Sequence, residues 1–209
     1  MADSRTDTEI FWVEPRARAI LPLEAFHLSK SLARTLRRDR FRITYNTAFE
    51  KVVRECAGPR SDADGTWISQ RIEASYAALH EQGHGHSIEC WEDTNLVGGV
   101  YGVSFDSVFC GESMFSRRTD ASKVALAWLV GLLRRAGAQL FDCQFMTSHL
   151  ASLGAVPLSQ EGYLELVARA SVPQRQTLDQ AYASLSEEAA DDPSSSPGKL
   201  IVQSLTQTS

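Results

Sequence analysis

The sequence lacks a long apolar run, a cysteine pair at metal-ligand spacing and a strong excess of either charge. No stretch approaches the roughly 20 apolar residues of a membrane-spanning helix, and the opening Met1–Glu9 is polar and acidic, unlike a signal peptide. The cysteines (Cys56, Cys90, Cys110 and Cys143) include no CxxC pair, which is typical of reduced cytosolic thiols rather than of a disulfide framework or zinc site. We therefore expect a cytoplasmic protein that is neither secreted nor membrane-inserted.

The charge distribution is more informative than the net charge of −5, which argues against a uniformly basic nucleic-acid binder. Between Lys30 and Arg60 nine basic residues face three acidic ones, whereas the chain from Ser171 onward carries a net charge of −3. A local basic segment of this kind on an acidic protein suits contact with a polyanion. The alternative is an ordinary solvated helix face.

The periodicity of apolar residues predicts both helices and strands. Helices are predicted over Leu23–Arg38, from a capping box at Thr47–Glu50 to Cys56, and over Trp67–Gln82, Asp120–Ala136, Thr147–Leu153 and Gln160–Ala170. Strands are predicted over Phe41–Tyr45, Ser87–Glu92, Leu96–Ser104, Ser107–Cys110 and Gln139–Gln144. This order predicts an α+β fold with an acetyltransferase-like (GNAT-like) mixed sheet and packed helices.

Composition sets the end of the chain apart. We expect an acidic, Ser/Pro-rich linker and C-terminal tail over residues 171–209. The acidic stretch SEEAADDPSSSPG (Ser186–Gly198) is typical of a disordered linker. The final KLIVQSLTQTS is predicted to be a strand or a simple tail.

Two histidines and three glycines carry little functional signal. His84 and His86 flank a glycine without a nearby third ligand, so we interpret them as ordinary loop residues and expect no metal. Gly98, Gly99 and Gly102 lie in a strand pattern, where glycine often marks a bulge or a close backbone approach. Neither a dinucleotide fingerprint nor the pyrophosphate loop of an acetyl-CoA enzyme is present.

Two polar motifs beside apolar strands are candidates for a site. Glu112 lies in CGESMFS (Cys110–Ser116), which follows an apolar strand; an exposed polar turn is an equally good interpretation. Asp142 and Gln144 lie two residues apart in a predicted buried strand and would therefore share a face. Such a pair is costly to bury unless it is hydrogen-bonded, although it could also satisfy backbone groups at the strand terminus.

Together these segments resemble the bacterial leucyl/phenylalanyl-tRNA–protein transferase family. The matching stretches run in order from FWVEPRARAILP (Phe11–Pro22) to HLASLGA (His149–Ala155), and similarity continues to about Ala170. The combination HGHSIE, LVGGVYG, FCGESMFS and DCQ is highly specific. Members usually carry some tens of residues, including a Tyr…Gly-x-Phe-Pro-Met stretch, before FWVEP. Either this chain is naturally short or its start lies upstream, and part of the N-terminal domain is expected to be absent.

The resemblance implies a small N-terminal domain, here residues 1–60, on an acetyltransferase-like catalytic domain, residues 61–170. It also implies an enzyme that moves Leu or Phe, and less well Met, from aminoacyl-tRNA to the N-terminal amine of proteins beginning with Arg or Lys. The product is an N-terminal degradation signal, and no cofactor or metal is needed. The alternatives are a transferase with another acceptor, such as acidic N-termini, or another acyl donor, and a tRNA-binding protein without activity.

The resemblance also implies roles for individual residues. Asp142 and Gln144 match the family's catalytic pair, and Glu112 matches the residue that orients the amino group of the transferred amino acid. Trp67 matches an aromatic residue that stacks on the terminal adenosine. The expected phosphate contacts are Lys30, Arg34, Arg37 and Arg38. The expected amino-acid pocket comprises Val100, Phe109, Met114, Leu129, Leu133 and Phe141, although helical spacing makes plain core an equal interpretation of Leu129 and Leu133.

Overall fold

The computed structural model describes residues 1–58 and 66–207. The predicted loop Gly58–Gly65 lies outside the described residues, apart from Gly58. The strands are β1 (Ala17–Ile20), β2 (Arg42–Tyr45), β3 (Gly85–Glu92), β4 (Asn95–Phe105), β5 (Val108–Ser116), β6 (Leu140–Gln144) and β7 (Val156–Ser159). The helices are α1 (Lys30–Arg37), α2 (Phe49–Cys56), α3 (Gln70–Glu81), α4 (Ala121–Ala136), α5 (Ser148–Ser152), α6 (Gln160–Ala170), α7 (Leu178–Asp191) and α8 (Pro197–Thr206).

The strands form one seven-stranded sheet in the order β2-β3-β4-β5-β6-β1-β7. The pair β5–β6 is parallel, because α4 crosses over between them, and the other pairs are antiparallel. The α+β class and the mixed sheet with packed helices are therefore confirmed. The sheet includes β1 and β2 from residues 1–60, and the division of the chain into domains remains a prediction.

The alternation of side chains along the strands divides the core between two faces. On one face α4 packs against Val100 and Phe109, and twelve of its sixteen residues are buried. On the other face Phe49 and Val52 of α2 and Ile72 of α3 pack against Tyr101 and Phe115. On the α4 face, Gly98 permits close packing of the helix, since a Cβ at that position would lie 2.6 Å from the Cβ of Ala121.

Several element boundaries differ from the predictions. The long helix predicted from Leu23 is a short 3-10 turn followed by the separate helix α1. Ser29 caps the start of α1, because its side chain accepts a hydrogen bond from the Leu32 amide. The capping box predicted from Thr47 is wrong. The amide of Thr47 donates to the carboxylate of buried Glu89, at 3.4 Å, so the chain before α2 is satisfied from β3 instead.

The prediction of a disordered linker over Ser186–Gly198, followed by a strand or a simple tail, is also wrong for most of that segment. Helix α7 begins with a capping box at Thr177 and buries Leu178, Ala181 and Leu185, which recur at helical spacing and pack against the α4 face of the core. Helix α8 begins after Ser196 and buries Leu200, Ile201, Val202 and Leu205 in the same cluster. The acidic composition reflects the exposed faces, which hid the apolar period.

His86 lies within β3 and is buried, so its assignment to a loop is wrong. Its ring accepts or donates hydrogen bonds at 2.8 Å to the Tyr45 hydroxyl and at 2.7 Å to the Ser104 hydroxyl. Burial lowers the pKa of His86 to about 4. Within residues 1–58 and 66–207, no three His, Cys, Asp or Glu side chains form a group that could hold a metal ion. No helix in these residues combines the length and apolarity needed to span a bilayer.

Candidate active site

The parallel pair β5–β6 brings the two polar motifs together. Cys110 of β5 is in register with Asp142 of β6. Two residues further along each strand stand Glu112 and Gln144, and the Gln144 amide nitrogen donates to a Glu112 carboxylate oxygen at 2.7 Å. Strand β5 extends to Ser116, so Glu112 lies inside a strand and not in the exposed turn that the sequence left open.

Asp142 is fully buried and all of its polar contacts are internal. Its Oδ2 atom accepts from the Arg18 guanidinium at 2.6 Å and from the Tyr163 hydroxyl at 3.0 Å. Its Oδ1 atom accepts from the backbone N–H of Gln144 at 2.8 Å. The thiol of Cys110 lies 4.0 Å from Oδ2, and burial raises the pKa of that thiol to about 12. Asp142 is thus a buried carboxylate with a cation beside it.

Glu112 differs from Asp142 because no cation forms an ion pair with it among the described residues. Its carboxylate accepts hydrogen bonds from Tyr76 and Gln144. Burial raises the pKa of Glu112 above its ordinary value, and the nearby Asp142 adds to this effect. Such a site favours the binding of a positively charged group, because the attraction between the two charges offsets the cost of burying the ionised carboxylate.

Two cavities meet at this pair. An apolar cavity of about 310 Å³ lies on one side, and a cleft of about 290 Å³ lies on the other. Aromatic residues line this cleft together with Arg18, Glu112 and Asp142, and we call it the polar cleft because of these three charged side chains. The alternation of β6 separates them: Phe141 and Cys143 line the apolar cavity, and Asp142 lines the cleft. The residues that line both are Met1, Trp67, Glu112, Gln144 and Phe145.

The six residues expected to form the amino-acid pocket lie in two places. Val100, Met114 and Phe141 line the apolar cavity. Phe109, Leu129 and Leu133 do not line it and lie in the core. Leu129 and Leu133 lie about one and two turns beyond Leu126, the residue of α4 that does reach the cavity. The role of these residues as a pocket stays a prediction.

The expected tRNA contacts lie at two places. Trp67 precedes α3 and lines both cavities. The four expected phosphate contacts, which we call the basic stripe, lie on α1 and at its C-terminal end, beside α8. This stripe lines a separate surface groove. Among the residues that the structure describes, none of its four cations forms an ion pair. These are Lys30, Arg34, Arg37 and Arg38.

Sequence reasoning missed Arg18, Tyr76, Tyr163, Leu126 and Leu150 as site residues. Arg18 is 124 positions from Asp142 in the chain, so no local pattern could join them. Leu126 and Leu150 carry the same apolar signal as any core residue. Tyr76 and Tyr163 lie on the amphipathic helices α3 and α6. The general expectation that a tyrosine hydroxyl inside a protein has a hydrogen-bond partner was the sole signal for them in the sequence.

A polar pair on the wall between an apolar cavity and a polar cleft forms a site where two organic groups can be held against each other, as acyl-transfer enzymes require. A family model described as leucyl/phenylalanyl-tRNA protein transferase matches residues 20–168. The chain belongs to the leucyl/phenylalanyl-tRNA–protein transferase family.

Individual relatives carry the same name. The leucyl/phenylalanyl-tRNA–protein transferase of Novosphingobium aromaticivorans is 54% identical over 241 aligned residues, which cover 100% of this chain and 91% of that protein. The protein of that name from Rhizorhabdus wittichii is 57% identical over 167 residues, covering 80% of this chain and 67% of the relative. That from Ruegeria pomeroyi is 47% identical over 209 residues, covering 100% and 91%.

The raised pKa of Glu112 predicts that its ionisation costs stability. A carboxyl whose pKa is higher in the folded than in the unfolded protein stabilises the fold less as pH rises through the window between the two values. Replacing Glu112→Gln removes this loss. We therefore expect the free energy of unfolding of Glu112→Gln, relative to wild type, to increase between pH 4 and pH 8 in chemical denaturation.

The exposed residue Glu81 provides the matched control, and the difference between Glu81→Gln and wild type should stay flat over the same range. A Glu112→Gln difference that is flat, or that decreases with pH, would show that Glu112 is not held in a desolvated state.

Proposed function

We propose that this protein transfers Leu or Phe, and less well Met, from aminoacyl-tRNA to the N-terminal α-amine of proteins that begin with Arg or Lys. The names of its relatives support aminoacyl-tRNA as donor and protein as acceptor. The product would carry an N-terminal degradation signal, the reaction would take place in the cytoplasm, and aminolysis of an ester requires neither ATP nor a cofactor.

The observation that carries this proposal is the position of Glu112 and Gln144 between the two cavities. The apolar cavity fits the side chain of the transferred amino acid, with Val100, Met114 and Phe141 as its walls. The carboxylate of Glu112, which forms no ion pair among the described residues, would then hold the amino group of that amino acid. The acceptor would approach through the polar cleft and meet the ester carbonyl beside Gln144.

The chemical step is aminolysis of an ester. The lone pair of the neutral acceptor amine attacks the carbonyl carbon, a C–N bond forms, and the bond from that carbon to the ribose oxygen breaks. One proton leaves the amine and ends on the ribose hydroxyl. The amide of Gln144 is too weak a base to remove this proton alone, so its role is to hold the amine or the developing oxyanion. Positioning then supplies most of the rate.

We assign the tRNA to two surfaces. The indole of Trp67 would stack on the terminal adenosine, because an aromatic face binds any base without sequence preference. The basic stripe, Lys30, Arg34, Arg37 and Arg38, would contact phosphates of the acceptor stem. Its cations are free of protein carboxylates within the described residues, so phosphate contact would not require breaking an ion pair.

A transfer assay tests the proposal. Leu-, Phe-, Met-, Val- and Lys-tRNA would compete as donors for one acceptor with N-terminal Arg, and the acceptors Lys and Asp would follow. We expect Leu and Phe to lead, Met to follow and Val to lag because its β-branch crowds the ester. Lys should be rejected, since burying an unpaired charge in the apolar cavity costs several kcal/mol.

Substitutions identify the residues responsible. Met114→Ala should change the order of donors, whereas Leu133→Ala, in the core, should lower thermal stability and leave that order unchanged. Efficient Lys transfer would show that the apolar cavity does not receive the donor, and preference for an Asp acceptor would favour the alternative transferase. Binding of tRNA without any transfer would leave only a tRNA-binding protein.

The basic stripe predicts salt-sensitive tRNA binding. A side chain that neutralises a phosphate releases counterions, and on a duplex each neutralised phosphate adds roughly 0.9 to the steepness of log affinity against log salt. Replacing both Arg37→Ala and Arg38→Ala should therefore flatten the slope measured by filter binding. The control is Arg54→Ala on α2. Arg54 is exposed and forms an ion pair with Glu50. Equal slopes for wild type and the double variant would place the acceptor stem elsewhere.

A further inference from the structure

Three groups of the chain donate hydrogen bonds to the Asp142 carboxylate. Its Oδ2 atom accepts from the Arg18 guanidinium and the Tyr163 hydroxyl, and its Oδ1 atom accepts from the backbone N–H of Gln144. The residue is 0% exposed. These hydrogen bonds connect Asp142 to β1 and α6 and, directly, to the backbone of Gln144.

Gln144 has a backbone conformation that needs such support. Its φ angle is +64°, in the left-handed region that non-glycine residues seldom adopt. The hydrogen bond from its N–H to Asp142 stabilises this turn at the end of β6. The turn directs the side-chain amide to Glu112, 2.7 Å away. The orientation of Gln144 therefore depends on where the Asp142 carboxylate is held.

Arg18 is what holds that carboxylate. It projects from β1, which pairs with β6 on one side and β7 on the other, and its Nη1 atom lies 2.6 Å from Oδ2. Its guanidinium also lies 4.7 Å from the centre of the Tyr163 ring, and the Tyr163 hydroxyl reaches the same oxygen. A buried carboxylate needs a paired charge and hydrogen bonds to remain ionised in place.

We propose that Arg18, supported by Tyr163, is a positioning residue of the transferase: it fixes Asp142 so that Asp142 holds Gln144 in its left-handed turn, facing Glu112. This inference rests on the proposed function for its kinetic consequence, but its structural part does not. Arg18 lies two positions before the range matched by the family model. In this role the effect of Asp142 on the reaction passes through the backbone of Gln144.

The structural part is tested by amide hydrogen exchange at Gln144. In Arg18→Met the apolar side chain keeps much of the volume but loses the cation, so the Asp142 carboxylate is free to shift. The Gln144 amide should then exchange at least tenfold faster than in wild type. In Arg18→Lys, which restores the charge, the exchange rate should return toward the wild-type value. Tyr163→Phe, which removes one hydroxyl, should give a smaller increase.

The matched control is Arg135→Met. Arg135 makes an ion pair of the same 2.6 Å length with Glu188, and its side chain is 27% exposed against 24% for Arg18. That pair joins α4 to α7 and does not contact the site. Exchange at Gln144 in Arg135→Met should equal that in wild type. Unchanged exchange at Gln144 in Arg18→Met, or an equal increase in Arg135→Met, overturns the proposal.

The kinetic part is tested in single turnover with enzyme in excess. Misplacement of a reacting group by 1 Å can cost about 100-fold, so Arg18→Met should lower the maximal rate by about that factor. The concentration of aminoacyl-tRNA giving half-maximal rate should change little. In a Gln144→Ala background the same change should cost no more than about twofold, because the group that Arg18 positions is already missing.

The outcomes separate this inference from the proposed function. An inactive wild type with fast Gln144 exchange in Arg18→Met leaves the positioning intact and removes the transferase. An active wild type with a fully additive loss in the double variant shows that Arg18 does not act through Gln144. If Arg18→Met does not fold, Tyr163→Phe is measured in the same exchange and kinetic assays, and wild-type exchange at Gln144 with a wild-type rate in that variant overturns the proposal.

Discussion

The rest of the site depends on the ion pair between the buried carboxylate of Asp142 and Arg18. The carboxylate lies where β1, β6 and α6 meet, and each of its hydrogen bonds reaches a different part of the chain. A charge in this position is tolerable only because a guanidinium and a hydroxyl accompany it. At the end of β6 the backbone turns at Gln144, whose N–H is hydrogen-bonded to this carboxylate, and the Gln144 side chain faces Glu112 across the parallel pair β5–β6.

Around this fixed point the sheet creates two different environments a few residues apart. Along β6, alternate side chains enter either the apolar cavity or the polar cleft. Glu112 and Gln144 border both. Among the described residues Glu112 forms no ion pair, whereas the nearby Asp142 is paired with Arg18, so two similar side chains have different surroundings. In the proposed reaction Glu112 binds a charged group of the substrate, and Asp142 holds Gln144 in place.

Much of this arrangement could be predicted from local patterns, and the remainder had physical reasons to escape. Strand β6 and helix α4 were indicated by their apolar periods, and Asp142 and Gln144 stood out as polar residues in a buried strand. Their link through a backbone N–H and a left-handed turn carries no sequence signal, nor does an ion pair whose partners are 124 positions apart. Leu129 and Leu133 had the same pattern whether they lined a pocket or a core. The acidic exposed residues of α7 concealed Leu178, Ala181 and Leu185, whose spacing was the stronger signal.

The roles of the apolar cavity and of Glu112 can be tested together by a structure of the protein bound to leucyl-adenosine in which an amide replaces the labile ester. We predict that the leucyl side chain lies in the apolar cavity against Val100, Met114 and Phe141, with its amino group about 3 Å from the Glu112 carboxylate. A leucyl side chain in the polar cleft, or an amino group beyond hydrogen-bond reach of Glu112, would contradict both assignments.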